Sequence, residues 1–175
     1  MDDRAVVAVQ IERQPRSAID VVARCHLGLP VVIAVPPHLE DGTPFPTRYW
    51  LTCPLAVRRI GRLESVGGVK AAEARLDADP DLAARHGSAM ERYAADRDAL
   101  IDETIDRPRP SGGVAGAMVG VKCLHAQYAD HAAGNDNVVG EWTAADIEPL
   151  DCAVACVAAA GNETIRNPEW REPKR

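Results

Sequence analysis

The sequence is poor in aromatic residues and has no apolar run long enough to span a membrane. Only 4% of its 175 residues are aromatic, so the core has to be built from many small side chains. No apolar run reaches the roughly 18 residues that suggest a transmembrane helix. A chain of this length buries enough surface to fold without stabilising disulfide bonds. We therefore predict one α+β domain over residues 1–161 and a C-terminal tail over residues 162–175.

The chain also lacks an excess of basic residues. Its formal net charge is −6, whereas a protein that binds nucleic acid needs a basic face for the phosphates. Its start, Met1-Asp2-Asp3-Arg4, does not resemble the basic start of an export signal, so we expect a cytoplasmic protein. The expected partner is another protein or a small anionic ligand, and we expect neither nucleic acid nor a membrane.

Disulfide bonds are not expected either. The sequence has five cysteines, and an odd number argues against a simple disulfide framework. Thiols also stay reduced in the cytoplasm. The cysteines are therefore candidates for core packing, metal binding or catalysis.

The first third of the chain predicts a small sheet. Residues 18–25 and 31–35 are short and rich in β-branched residues, and Gly28 lies between them, which indicates a hairpin. Residues 48–53 predict a third strand. The three strands form a small antiparallel sheet over about residues 18–53.

The remainder is predicted to be mainly helical, which gives an α+β fold with the sheet packed on helices. The clearest helix starts at Asp79 and Pro80, a cap followed by a proline in the first turn, and runs for about six turns. Further helices are predicted over residues 3–13, 55–66, 69–77, 118–133 and 144–160.

One block of unusual residues covers positions 41–54. It places the only phenylalanine of the chain near a tryptophan and a tyrosine, in a proline-framed loop that leads into the third strand. Such loops often display binding residues, so Thr47 and Arg48 are candidates for ligand binding. The alternative is that these scarce aromatic residues anchor the core and that the prolines shape a turn.

A second block, Val-Lys-Cys-Leu-His at residues 121–125, contains Lys122, Cys123 and His125. Residues two apart diverge inside a regular helix, but these two converge if the block is an irregular first turn. A cysteine at a helix N-terminus beside a lysine suits a nucleophile or a metal ligand, so Cys123 and His125 are the candidate catalytic residues. The alternative is a buried cysteine that packs as a small apolar residue and a histidine bonded to a backbone carbonyl.

The cysteines and this histidine also suggest a metal site. Three cysteines and one histidine are a standard tetrahedral zinc set, and Cys25, Cys53, Cys123 and His125 are the candidate ligands. The sequence has no Cys-x-x-Cys pair, so the ligands have to come from separate segments. Cys152 and Cys156, four apart in an alanine-rich segment, are assigned to the core.

These residues support more than one hypothesis about function. The first is a binding or scaffold module with a structural zinc ion. The second is a small hydrolase or transferase that uses Cys123 or His125, while Arg48 and Lys122 hold a phosphorylated or carboxylated group. A plainer interpretation is an interaction module whose alanine-rich helices pack against a partner.

Several of these residues together resemble a bacterial family, the domain of unknown function 501. The resemblance covers most of residues 5–141, and the composition is typical of an actinobacterial member. It is supported by Arg24-Cys25, the block at residues 41–54, Gly112-Gly113 and the Lys-Cys-Leu-His block. The resemblance implies no particular activity.

The chain departs from the family pattern at one place that matters for a site. Members of the family tend to have a second histidine after Cys-Leu-His, whereas this chain has Gln127, with Asp130 and His131 nearby. A role that requires the second histidine is therefore in doubt for this chain. Asp130 and His131 are the candidates to replace it.

Overall fold

The computed structural model describes residues 1–174 of the chain. Within this range, helices and two small antiparallel sheets are joined by loops. This arrangement confirms the predicted α+β fold. The helices are α1 (Asp3–Gln10), α2 (Pro54–Ser65), α3 (Gly68–Asp77), α4 (Pro80–Asp98), α5 (Leu124–Ala132) and α6 (Val138–Ile147), with a 3₁₀ turn at Val114–Gly116. The strands are β1 (Asp20–Arg24), β2 (Pro30–Ala34), β3 (Tyr49–Leu51), β4 (Val157–Ala160) and β5 (Glu163–Arg166). None of the helices described is long and apolar enough to cross a membrane.

The larger sheet lies where the sequence predicts it, within residues 18–53. Its order is β1-β2-β3, with both neighbours antiparallel to the central strand. Every residue of β2 is buried. Val32 packs in the main core with residues of α2 and α5, whereas Ile33 joins a smaller cluster with Val7 of α1. The central strand therefore connects the helices of the core to α1.

The edge strand β3 is fastened to α4 by one side chain. Tyr93, which is fully buried, accepts hydrogen bonds from the backbone N–H groups of Arg48 at 2.6 Å and of Tyr49 at 3.2 Å. Burial raises the pKa of Tyr93 to about 12, so its hydroxyl stays protonated at neutral pH. The rings of Tyr93 and Tyr49 also pack edge to face.

Helices α5 and α6 pack against each other around a buried polar network. Asp130, which is fully buried, accepts hydrogen bonds from Arg92 of α4 at 2.5 Å and from Asn137 at 2.9 Å. Asn137 also donates to Gln127 at 2.8 Å and caps α6 by accepting from the N–H of Gly140. A Cβ atom at Gly140 would lie 2.3 Å from the carbonyl oxygen of Gln127, so this contact requires glycine.

Two helix predictions are wrong in position. Helix α5 begins at Leu124 rather than 118, because Gly120 and Lys122 have φ angles of 69° and 59°, which no α-helix contains. Helix α6 covers Val138–Ile147 rather than residues 144–160. Asn137 is its cap. Thr143, which directly precedes the predicted range, lies inside the helix, where its hydroxyl donates to the carbonyl of Val139.

The C-terminal residues are also more ordered than predicted. In place of the end of a helix and a frayed tail from residue 162, the chain forms the β4–β5 hairpin. Trp170, only 5% exposed, then packs into the main core. Burial of this large ring favours docking over fraying. Arg175, the last residue of the predicted tail, lies outside the described residues.

Candidate functional site

The start of α5 meets the end of α2, and three side chains with metal-binding atoms come together there. The Nδ1 atom of His125 lies 3.9 Å from Sγ of Cys123 and 3.2 Å from a carboxylate oxygen of Glu64. We call Glu64, Cys123 and His125 the Cys123 cluster. Within residues 1–174 it is the only group of three or more His, Cys, Asp or Glu side chains whose ligand atoms all lie within 4.8 Å of one another.

The local backbone explains why a cysteine and a histidine two apart converge. Lys122 has a left-handed φ of 59°, and Cys123 is extended with a φ of −156°, so the block is the irregular first turn that the sequence analysis considered. The Cys123 side chain does not cap α5. Glu64 does so instead, because its second carboxylate oxygen accepts from the N–H of Leu124 at 2.6 Å. This bond fixes the carboxylate beside the cysteine and the histidine.

The far side of the His125 ring is held by the backbone of α2. Its Nε2 lies 3.1 Å from the carbonyl oxygen of Val57, and a carbonyl only accepts, so Nε2 carries a proton. Burial disfavours the charged ring, but the Cys123 thiol, the Glu64 carboxylate and the Val57 carbonyl outweigh it and raise the pKa of His125 to about 9. The ring is therefore cationic at neutral pH when no metal is bound, and it pairs with Glu64.

This geometry differs from that of a nucleophile relay. In a cysteine–histidine–acid relay, the nucleophile and the acid contact different nitrogens of the ring. Here Cys123 and Glu64 both lie at Nδ1, and Val57 occupies Nε2. The side chains of Cys123 and Glu64 therefore converge on one nitrogen of the ring and do not form a chain of proton transfers across it.

The remaining cysteines gather in a second place, around a void of about 10 Å³ next to the ring of Trp170. These cysteines lie at the end of β1, at the start of α2 and in the segment between α6 and β4. We call this group the cysteine cavity. Its members are Cys25, Cys53, Cys152 and Cys156.

The predicted zinc ligands are thus divided between two places. Cys123 and His125 lie in the Cys123 cluster, whereas Cys25 and Cys53 line the cysteine cavity. Cys152 and Cys156, which the sequence analysis assigned to the core, are the residues that join the latter pair. Glu64 had no signal in the sequence at all, because it is one of many glutamates on helices.

The predicted anion-binding residues already have partners. The Arg48 guanidinium donates to the carbonyl of Val35 at 3.1 Å and lies over the ring of Tyr49. The Lys122 ammonium donates to the carbonyl of Ala115 at 2.8 Å. Thr47 is half-buried in the loop before β3. An anion site made of these residues stays a prediction.

A different cleft is richer in positive charge. It has a volume of about 520 Å³ and lies between the end of α1, β3, the start of α2 and the C-terminal hairpin. Arg13 lies over the ring of Trp50, with the guanidinium carbon 4.7 Å from the ring centroid, and Arg58 lies over Trp170 at 5.0 Å. Arg166 also lines the cleft. We call these five residues the arginine groove. The sequence analysis missed the groove because its residues come from separate segments.

Glutamine at position 127 has a structural role in this chain. Its side chain is fully buried and donates to the carbonyl of Val121 at 3.2 Å. Asp130, a candidate replacement for the missing histidine, is occupied by Arg92 and Asn137. Gln127 and Asp130 therefore stabilise the helices behind the Cys123 cluster.

Comparison with known proteins gives one match. A family model described as "Protein of unknown function (DUF501)" matches residues 21–145. The match contains the Cys123 cluster, Cys25 and Cys53, and it ends before Cys152. No curated protein and no solved structure matches the chain. Because the matched residues are more than half of the chain, the protein belongs to the DUF501 family.

Proposed function

We propose that this protein binds a divalent transition-metal ion, zinc in the first place, at the Cys123 cluster. The ligands are Sγ of Cys123, Nδ1 of His125 and a carboxylate oxygen of Glu64. The observation that supports this most is the hydrogen bond from His125 Nε2 to the carbonyl of Val57. A ligating histidine usually donates its other N–H to a carbonyl or carboxylate in this way, which orients the ring toward the metal.

The donor types and their spacing agree with zinc. Thiolate, imidazole and carboxylate are all zinc ligands, with bond lengths of about 2.0–2.3 Å. Two ligands of a tetrahedral ion at these bond lengths lie roughly 3.3–3.8 Å apart. The separations of 3.2 and 3.9 Å from His125 Nδ1 are close to this range, and all three atoms lie within 4.8 Å of one another, so a local rearrangement would let them share an ion.

Three protein ligands leave the fourth position of a tetrahedral ion open. Closed sets of four ligands are typical of structural zinc, whereas three ligands and a bound water are typical of catalytic zinc. The proposal therefore differs from a purely structural ion. A zinc ion here would bind water or an oxygen of a ligand, and it would supply Lewis-acid chemistry such as the activation of that water. We also propose a cytoplasmic location, where thiols remain available for metal.

The test is metal binding by variants of the full chain. We expect wild-type protein, stripped with a chelator and kept reduced, to take up an ion that Cys123→Ser and His125→Gln no longer bind. His38→Gln is a matched control, because His38 Nε2 also lies near a backbone carbonyl, that of Pro108 at 2.9 Å. Metal content by mass spectrometry and competition with a chromophoric chelator measure the loss.

One outcome would contradict the proposal and support the hydrolase or transferase hypothesis. In that case the two variants bind as much metal as wild type, and Cys123 in metal-free protein reacts rapidly with iodoacetamide at neutral pH. A thiol that reacts quickly is a nucleophile. Cys123 would then be the catalytic residue and His125 its cationic neighbour.

The arginine groove supports a second candidate function, binding of a small anionic ligand with a planar ring. Its volume of about 520 Å³ is within the range of ligand pockets, and it concentrates guanidinium groups in an acidic chain. Arg58 and Arg166 also pair with Glu172 and Glu12. Arg13 instead lies over a tryptophan ring, so the Arg13 guanidinium suits an incoming carboxylate or phosphate.

The test compares the groove with the site predicted from the sequence. Nucleotides and aromatic carboxylates are screened by thermal shift, because a ligand that binds the folded state raises the melting temperature. For any ligand that gives a shift, we expect Arg13→Gln to weaken binding at least tenfold and Arg48→Gln to leave it unchanged. The reverse result would support the predicted site at Arg48 and Lys122.

A further inference from the structure

We propose that the cysteine cavity is a second metal site, which binds one thiophilic divalent ion such as zinc through four thiolates. It contains four of the five cysteines of the chain. They come from three segments that are far apart in sequence, and one void brings them together. Four thiolates are a complete ligand set for structural zinc. This site shares no residue with the Cys123 cluster, so it does not depend on the function proposed above.

Hydrogen-bond donors lie beside three of the four sulfur atoms. The indole N–H of Trp170 donates to Cys152 Sγ at 3.4 Å, and the amide of Gln10 donates to Cys156 Sγ at 3.7 Å. Cys53 precedes the first turn of α2, where free backbone N–H groups point outward. Donors of this kind partly offset the burial that raises the pKa of Cys53 and of Cys156, and they orient metal ligands.

A buried polar atom at the void has no partner. Gln10 is only 9% exposed and lines the cysteine cavity, and its side-chain oxygen has no hydrogen-bond partner. An unpaired buried acceptor costs about 1–3 kcal/mol. The polar groups of Gln10 beside the cysteines are therefore only partly satisfied within the protein.

The size of the void selects a single ion. A volume of about 10 Å³ has room for one water-sized body and not for a cluster of several metals. No three of the four sulfur atoms lie within 4.8 Å of one another in residues 1–174, so they have to close around the ion. A change of staggered rotamer moves a cysteine sulfur by about 3 Å. Cys25 and Cys152 are only half-buried, so theirs are the side chains that we expect to move.

An ion in this place would join the C-terminal segment to the sheet. Cys152 and Cys156 flank the loop that leads into β4, whereas Cys25 and Cys53 adjoin β1 and α2. Because the unfolded chain has no preformed site, binding of the ion would add to folding stability. Zinc should therefore raise the melting temperature.

Cobalt(II) substitution tests the proposal, because the intensity of its sulfur-to-cobalt absorption reports the number of thiolates. We expect reduced, chelator-treated wild-type protein to give the spectrum of a tetrahedral tetrathiolate site, and zinc to displace the cobalt. Cys25→Ser and Cys152→Ser should lose that spectrum and the rise in melting temperature with zinc. Both positions are half-buried, so these variants are expected to fold.

Cys123→Ser is the control that separates the two sites. It should keep the tetrathiolate spectrum and lose only the ion of the Cys123 cluster. The proposal is overturned if Cys25→Ser and Cys152→Ser bind cobalt with the same spectrum and stoichiometry as wild type. It is also overturned if wild-type protein gives no tetrathiolate spectrum while Cys123-dependent binding persists.

Discussion

The two ends of α2 lie beside cysteines whose surroundings differ in burial and charge. At its start, Cys53 is 6% exposed and faces the apolar cysteine cavity. At its end, Glu64 lies in a half-exposed cluster with Cys123 and a cationic His125. Burial raises the pKa of Cys53 to about 12, so this thiol stays protonated unless a metal displaces the proton. The comparison shows that the two ends of one helix can place neighbouring cysteines in environments that differ in burial and charge.

The largest expected effect comes from the middle of α2, where Arg59 secures the segment that contains Cys152. This buried guanidinium donates to the carbonyls of Ile147 at 2.7 Å and Pro149 at 2.6 Å. Arg59→Met leaves these carbonyls without their charged donor, so we expect the free energy of unfolding to fall by about 3 kcal/mol. Arg58→Met, at the exposed neighbouring position, should cost less than about 1 kcal/mol. Urea denaturation measures the free energy of unfolding of both variants. Equal losses would contradict the role of Arg59 in holding the segment that contains Cys152.

The second largest effect concerns the free energy of unfolding that the Cys53 and Cys123 thiols each contribute in metal-free protein. Cys53→Ala removes a buried sulfur from the main core, and we expect a loss of about 1–2 kcal/mol. Cys123→Ala removes a half-buried one, and its loss should stay below about 1 kcal/mol. Equilibrium unfolding with a chelator and a reductant present measures the difference. If Cys123→Ala is the more costly change, the two ends of α2 do not differ as we describe.

The stability that the polar end of α2 contributes, where His125 pairs with Glu64, should depend on pH. The stability that the apolar end contributes, at Cys53, should not depend on pH over the same range. In metal-free protein the pKa of His125 is about 9, above the value of about 6.5 for an unfolded chain. The stability from its pairing is therefore complete below about pH 6.5 and is lost as the pH rises toward 9. The stability difference between wild type and His125→Gln should narrow over this range in urea denaturation. A difference that stays constant over this range would show that the ring is already neutral there.

The smallest effect is expected at the exposed face of the same end. Arg62 forms an ion pair with Glu172, and its side chain is 60% exposed. Water and salt screen such pairs, so Arg62→Gln should change the free energy of unfolding by no more than about 0.5 kcal/mol. A double-mutant cycle with Glu172→Gln isolates the pair. A coupling above about 1 kcal/mol would mean that this surface contact helps to place Glu64.

Local signals in the sequence explain which elements were predictable. The β1–β2 hairpin follows from β-branched segments around Gly28, and α4 follows from Asp79 and Pro80. Asn137 shows the limit of such signals. It lies in a polar stretch that indicates the end of one helix, but it also begins the next one. Only the packing of α6 on α5 decides between the two roles.

The candidate sites were predictable only in part, because they depend on contacts between distant segments. An irregular turn at Lys122 and Cys123 was one alternative that the local sequence allowed, although the predicted helix began earlier, and the structure contains this turn. Glu64 reaches this turn only through the packing of α2 against α5. Cys152 and Cys156 were placed in a helix that the chain does not form there, so their approach to Cys25 had no local signal.

The hydroxyl of Tyr93 has a consequence for how the molecule behaves at high concentration. An edge strand with free backbone N–H groups is a template on which another chain can add a strand. At β3 the N–H groups of Arg48 and Tyr49 both donate to Tyr93. A second copy of the protein therefore cannot use these two donors for pairing. One tyrosine from a neighbouring helix thus protects this end of the sheet against edge-to-edge aggregation.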